Sequence, residues 1–222
     1  AFKVGNELQT AIGGPQAIGF IHELGGEVFY DGKFHDIPNT VGASARAVSS
    51  LGVWAFNVHC SSGRAALVKA VQVARETGKT KVLGVSILTS LDDKDLNEMG
   101  LLGLPTISEI VVRMAGLAEW CGLDGLIASP RELLFIKKAA PRLKTVIPAI
   151  RPAWADWAKK KDDQKRDTTH IEAIEMGADY LVIGRPITGA PEEIDGPVGA
   201  AKRINTEINN LLADLAELKT RN

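Results

Sequence analysis

Two acids and a lysine in the run Asp31-Gly32-Lys33-Phe34-His35-Asp36-Ile37-Pro38-Asn39-Thr40 are spaced for proton chemistry. The run follows Glu27-Val28-Phe29-Tyr30, which reads as strand, and precedes an Ala-rich stretch that reads as helix. Residues two apart on a strand share a face, so Asp31 and Lys33 point the same way from a strand end. Asp36 arrives from the start of the next loop. Opposite charge on either side of a lysine favours its ammonium form, and such a lysine can donate a proton. The alternative from pattern alone is a structural ion pair with a helix-capping aspartate, since ion pairs also sit at strand ends.

These residues need a scaffold to hold them. Strand-like runs occupy residues 2–5, 27–31, 53–60, 81–89, 125–129, 145–150 and 180–187, seven in all. Between them lie segments of helical period, at 63–77, 106–121, 130–140 and 169–176, and Gly78, Gly122 and Gly177 stand where helices end. Strict alternation of strand and helix predicts a parallel sheet with helices on its faces. A closed (β/α)8 TIM barrel needs eight strands. Seven units opening on a strand therefore predict an α/β barrel whose first βα unit is missing from the sequence as given, with residues 1–222 as one N-terminally incomplete domain. An open doubly wound sheet is the alternative, but no Gly-x-Gly-x-x-Gly turn follows an early strand. The stretch 199–219 carries Ile204, Ile208, Leu211, Leu212, Leu215 and Leu218 at helical spacing and should close the barrel as its last helix.

Composition narrows the partners. The net charge is −1 over 222 residues, with both signs interspersed, so neither a nucleic-acid stripe nor an anionic membrane surface is expected. No apolar run approaches the ~20 residues needed to span a bilayer. Cys60 and Cys121 lie in different segments without metal-ligand spacing, which suits a reducing cytoplasm.

On a barrel, Lys3, Asp31, Lys33, His59, Thr89, Ser129, Arg151 and Arg185 all fall at or just beyond strand C-termini, the face that carries active sites. His59 taken alone reads as a hydrogen-bonded packing histidine more than as a catalyst, and Thr89 and Ser129 are placed to cap the helices that follow. Gly184-Arg185-Pro186-Ile187 occupies the turn after the last strand, where backbone amides and a forked guanidinium suit a phosphate. The 151–168 connection is long for a βα loop, and such loops are functional or disordered. Its Lys159-Lys160-Lys161 run reads as solvated charge, whereas Gln164 and Arg166 are placed to fold over a phosphate. Trp154 and Trp157 either stack on a base or pin this loop to the barrel wall.

Asp-x-Lys-x-x-Asp-Ile-Pro-Asn-Thr-Val resembles the signature of the orotidine 5'-phosphate decarboxylase family. Phe2-Lys3-Val4-Gly5 looks like that family's second strand, Asn57-Val58-His59 with Ser62-Gly63 like its fourth, and Ile147-Pro148-Ala149-Ile150-Arg151-Pro152 like its seventh, with Ala149 where Gly is usual. Asp163-Gln164-Lys165-Arg166 looks like the lid motif, in a loop several residues longer than in common bacterial members. Val182-Ile183-Gly184-Arg185-Pro186-Ile187-Thr188 looks like the phosphate turn. The family's ribose-contacting aspartate belongs to its first strand and has no counterpart here.

The resemblance implies decarboxylation of orotidine 5'-monophosphate to uridine 5'-monophosphate in pyrimidine biosynthesis, without metal or organic cofactor. It implies catalytic roles for Lys33, Asp31, Asp36 and Lys3, with Lys33 as proton donor. Substrate contacts are implied for those four and for Ile37, Thr40, Thr89, Ser129, Arg151, Gln164, Gly184 and Arg185. Asp36 and Thr40 reach a neighbouring subunit in the family, which implies a homodimer with shared sites. Two rivals remain. One is a sugar-phosphate decarboxylase or aldolase of the same barrel group, whose bound magnesium requires an acid where Lys3 stands. The other is a noncatalytic nucleotide-binding barrel.

Overall fold

The computed structural model describes residues 1–100, 106–158 and 168–221. Seven strands form one parallel sheet in sequence order: β1 (Phe2–Val4), β2 (Val28–Phe34), β3 (Ala55–His59), β4 (Lys81–Val85), β5 (Gly125–Ile127), β6 (Lys144–Ile147) and β7 (Tyr180–Leu181). The connections carry α1 (Asn6–Ile12), α2 (Gly14–Glu23), α3 (Pro38–Ser50), α4 (Arg64–Thr77), α5 (Asp93–Glu98) and α6 (Ile107–Trp120). After these come α7 (Leu133–Ala139), α8 (His170–Glu175), α9 (Arg185–Thr188) and α10 (Gly196–Arg221). This is the predicted barrel with seven of its eight strands. Among the described residues β1 and β7 are the sheet's two edges, and the eighth strand position lies between them. A cleft of about 640 Å³ runs there, lined by Lys3, Phe29, Trp54, Tyr180, Ile183 and Ile204 among others.

The pleat sorts side chains into two cores. Val28, Phe56, Val58 and Val82 point outward and pack with helix residues such as Val41, Leu67, Ala70 and Val111. Phe29, Ala55, Leu83 and Val146 alternate with them and fill the interior, where Trp54 and Tyr180 join them. Asp31 and Asn57 follow Phe29 and Ala55 by two residues, and the same alternation aims them inward.

Helix boundaries come from local chemistry. Thr106 and Thr169 cap α6 and α8: each hydroxyl accepts from the amide of the glutamate three residues on (Glu109 and Glu172), whose carboxylate accepts from the threonine amide in return, so two amides are satisfied at each start. Gly122 and Gly177 follow α6 and α8 at φ 80° and 92°, a region that costs other residues about 1 kcal/mol or more. Two residues after each glycine an aspartate precedes a strand. Asp124 accepts from the Val82 amide at 2.8 Å, and Asp179 from the Thr145 amide at 2.8 Å, so each staples the strand it precedes to its neighbour. Lys137, Lys144 and the Thr145 hydroxyl also donate to Asp179. Burial opposes its charge, yet these donors bring its pKa down to about 2. The sequence pattern gave the glycines but not this repeated Gly-x-Asp staple.

Several strands are shorter than the hydrophobic runs suggest. The run 81–89 ends as strand at Val85, 145–150 at Ile147 and 180–187 at Leu181. The residues beyond them turn onto the rim, and after Ile147 the reason is local, since Pro148 has no amide proton with which to continue the ladder. By contrast β2 runs past Asp31 to Phe34. Ala149 sits at φ 61° with its methyl buried. Replacing Ala149 by Gly should stabilise the protein by about 0.5–1 kcal/mol, the left-handed cost less the added chain entropy. Urea unfolding measures this, and a loss of stability would show that methyl packing outweighs the backbone cost.

Candidate active site

Because all seven strands are parallel, their C-termini share one rim, and the sheet brings six of the segments that carry candidate residues to it. Lys3 lies within β1, and Asp31 and Lys33 within β2. Thr89, Ser129, Arg151 and Arg185 follow the ends of β4, β5, β6 and β7. Gln164 lies outside the described residues.

At the centre is Asp31, 7% exposed. Its two oxygens take different ammonium groups, Lys33 Nζ at 2.8 Å on Oδ1 and Lys3 Nζ at 3.0 Å on Oδ2. Gly5 leaves room for this, since a Cβ there would stand 2.8 Å from Lys3 Nζ. Burial alone would raise the Asp31 pKa. The bond from Lys33, the charges of Lys3 and Lys33 and a bond from Asn57 outweigh it and hold the carboxyl below its ordinary range.

Lys33 does not reach Asp31 by ordinary strand alternation. Tyr30 pairs with Phe56 but Phe34 with Val58, so β2 advances four residues while β3 advances two. Lys33 lies in this bulge at φ 47°, a strained position of the kind held at functional sites. The bulge removes the Lys33 amide from the ladder, and Asn57 Oδ1 accepts it at 2.7 Å. The same side chain donates to Asp31 Oδ1 at 2.7 Å. Asn57 is fully buried. Its signal in the sequence is a lone amide at an inward position of an apolar strand, and the strand motif that contains it assigns it no role.

Asp36 lies apart from this array. It is exposed, and its Oδ1 accepts from the Ile37 amide at 2.6 Å. Ile37 is extended (φ −63°, ψ 157°), as a residue before proline should be, and is 65% exposed. Thr40 is exposed on the first turn of α3. His59 stacks with His35 at 5.0 Å, and burial first, then the charges of His35 and Lys33, lowers its pKa.

Ser129 is buried and its hydroxyl accepts from the Arg131 amide at 3.3 Å, so it caps the short turn Pro130–Glu132. Arg151 is buried and bonds the Ile150 carbonyl at 2.9 Å. The ends of the long connection meet, with Ile150 bridging Thr168 and the Arg151 amide donating to the Thr168 carbonyl at 2.8 Å. Trp154 and Trp157 stand in its first half, 5.7 Å apart, and Trp154 donates to Glu207 of α10. Of the two uses read for these tryptophans, this geometry is the pinning one. Arg185 opens α9, with Gly184 before it exposed on the rim. No group of three or more His, Cys, Asp or Glu among the described residues is placed to hold a metal ion.

Comparison with known proteins follows this geometry. The model of the Orotidine 5'-phosphate decarboxylase / HUMPS family matches residues 1–204. The chain belongs to this family. It is 44% identical over 216 residues to the orotidine 5'-phosphate decarboxylase of Syntrophomonas wolfei, covering 94% of this chain and 86% of that protein. It is 46% identical over 215 residues to that of Moorella thermoacetica, covering 93% and 81%. The crystal structure of orotidine 5'-phosphate decarboxylase from Lactobacillus acidophilus superposes with a TM-score of 0.78 at 31% identity, over 93% of this chain and 86% of that one. The family is thus shown over most of the chain, and the barrel assignment with it.

In this decarboxylase-family chain the depressed Asp31 carboxyl makes a pH prediction. A carboxyl lowered in the folded state adds stability above its unfolded value of about 3.9 and loses it as pH falls through the folded value. Lys3→Met removes one ammonium and so moves the folded value back up. The variant should be less stable than the parent near neutral pH, with the gap closing as pH falls below the unfolded carboxyl value of about 3.9. Chemical unfolding at several pH values tests this, and a gap independent of pH would remove Lys3 as a partner of the charged carboxylate.

Proposed function

We propose that this chain decarboxylates orotidine 5'-monophosphate to uridine 5'-monophosphate in pyrimidine biosynthesis, with Lys33 as the proton donor. One observation carries the reading: a single buried carboxylate holds two ammonium groups, one on each oxygen. Loss of carbon dioxide breaks the bond between the ring carbon and the carboxyl carbon and leaves the electron pair on the ring carbon, with little delocalisation. A positive group already fixed beside that carbon stabilises the charge as it develops, without reorganisation at the moment of reaction. Lys33 Nζ supplies that charge and then its proton, and the resulting amine is reprotonated from water. Asp31 opposes the substrate carboxylate by like charge and favours its departure. Lys3 balances Asp31 when Lys33 gives up its proton.

The distant phosphate falls to Arg185 and the Gly184 amide on the rim, with Gln164 from the long connection. Binding energy from this remote group is available to align the ring against Lys33. Thr89, Ser129 and Arg151 stand around the same rim as further contacts, and for Ser129 capping is already one use of its hydroxyl. The sugar-phosphate rival requires a divalent cation beside Asp31. Both oxygens of Asp31 already face ammonium groups, which repel such a cation. The relatives named above support the first reading in the same direction.

The proposal extends to a twofold homodimer that shares its sites, the commonest homo-oligomer. Asp36, Ile37 and Thr40 are exposed beyond β2, where a second copy can receive them. Two free buried cysteines suit a cytoplasmic enzyme.

Lys33→Ala should reduce turnover by about a thousandfold or more while product nucleotide still binds, because the lost interaction forms only in the transition state. Excess chelator should leave the parent's activity unchanged. Activity of Lys33→Ala within tenfold of the parent would remove Lys33 as the acid, loss with chelator would favour the sugar-phosphate class, and binding without turnover in the parent would favour a binding barrel.

The shared site predicts complementation. Mixing inactive Lys33→Ala and inactive Asp36→Ala homodimers under conditions of verified exchange should regenerate activity toward one working site per mixed dimer. If the mixture stays inactive, Asp36 serves its own chain.

A further inference from the structure

Behind the rim, a polar cluster fixes the long connection to the last helix. Glu207 of α10 accepts from Trp154 Nε1 at 3.0 Å and from Arg203 Nε at 3.0 Å. The Arg203 guanidinium also lies over the Trp154 ring, 4.3 Å from its centroid. His170, buried at the start of α8, places Nε2 2.8 Å from Glu207 Oε2 but outside hydrogen-bond geometry, so that contact is electrostatic. Burial opposes the Glu207 charge, but the bonds from Trp154 and Arg203 and the nearness of His170 and Arg203 hold its pKa low, so Trp154 meets a charged acceptor. Hydrogen bonds to charged acceptors are about twice as strong as neutral ones.

Trp154 passes this anchorage on. Its ring lies 5.7 Å from Trp157 at 47°. Trp157 has a buried indole nitrogen with no hydrogen-bond partner, so packing alone sets its position. The short turn that carries it, Asp156–Ala158, packs near α9, and at Gly189 just past that helix an added Cβ would come 3.8 Å from Trp157 Cδ1. Gly189 ends α9, the turn that begins with Arg185. A hydrogen bond, a ring pair and an adjacent turn thus connect Glu207 through Trp154 and Trp157 to the segment that begins with Arg185.

We infer that Glu207 is a positioning residue for phosphate recognition, acting through the Trp154–Trp157 pair to set the root of the 151–168 connection against the Arg185 turn. This rests on the assignment of Arg185 to the substrate phosphate. A residue that positions the Arg185 turn affects substrates that carry a phosphate and spares those that lack it. A residue that merely stabilises the fold affects both alike.

The test compares kcat/KM for orotidine 5'-monophosphate and for phosphate-free orotidine, with Tm measured for each protein. The variants are Trp154→Phe, which keeps the ring and removes the N–H, Glu207→Ala, and Glu207→Gln, which retains an acceptor; Arg185→Ala is the reference. Trp154→Phe and Glu207→Ala should each lower the nucleotide value about tenfold, the scale of one charge-assisted hydrogen bond, and leave the nucleoside value within about twofold. Glu207→Gln should recover most of the loss. Arg185→Ala should collapse the ratio of nucleotide to nucleoside further than either. If Arg185→Ala lowers the ratio and Trp154→Phe and Glu207→Ala do not, the positioning role is wrong while the phosphate assignment stands. Equal losses on both substrates, with or without a fall in Tm, also overturn it. If Arg185→Ala leaves the ratio intact, the phosphate assignment fails and this inference fails with it.

Discussion

A carboxylate inside a sheet is the constraint around which this protein is arranged. Burying an unpaired charge is prohibitive, so Asp31 requires partners that enter the interior with it. It takes them from three strands, Lys3 of β1, Lys33 of β2 and Asn57 of β3. The demand extends to the backbone. The bulge that swings Lys33 onto Asp31 frees an amide, and Asn57 receives it while also donating to the carboxylate. The interactions that aim Lys33 are also those that make a buried Asp31 tolerable, so the chemistry proposed for Lys33 is not separable from stability.

The two ends of the sheet divide the work. At the N-terminal end, Asp124 and Asp179 staple neighbouring strands through backbone amides, and Asp179 gathers Lys137 and Lys144 as well. At the C-terminal end the charges converge on one rim, as barrels of this kind allow, because loops there vary without disturbing the staples below. The chemistry proposed for the chain needs both, a fixed lower sheet and an upper rim on which Lys33 is held in a backbone conformation of low intrinsic preference.

The rim is also where the chain turns outward. Ile37 and Pro38 redirect it after β2, leaving Asp36, Ile37 and Thr40 exposed beside an array that is complete in its Asp31 pairs without them. On the opposite side, the long connection is closed at its base by the Ile150–Thr168 bridge and held to α10 through Trp154. The side proposed to meet a second copy and the side proposed to take the phosphate are thus built from different connections on one frame.

The sequence by itself determined the barrel class, the seven strand positions and the rim location of the charged residues. Those follow from local periodicity and from parallel alternation, which places every strand C-terminus on one side. It also determined the helix ends at Thr106, Gly122, Thr169 and Gly177, where capping is a matter of a few neighbouring residues. Strand ends at Val85, Ile147 and Leu181 were not legible, because apolar residues continue onto the rim while ladder partners run out. The bulge at Lys33, the role of Asn57 and the Glu207 clasp on Trp154 belong to tertiary structure alone. Each joins residues distant in sequence, and a hydrogen bond between elements depends on register, twist and bulge, which no local pattern encodes.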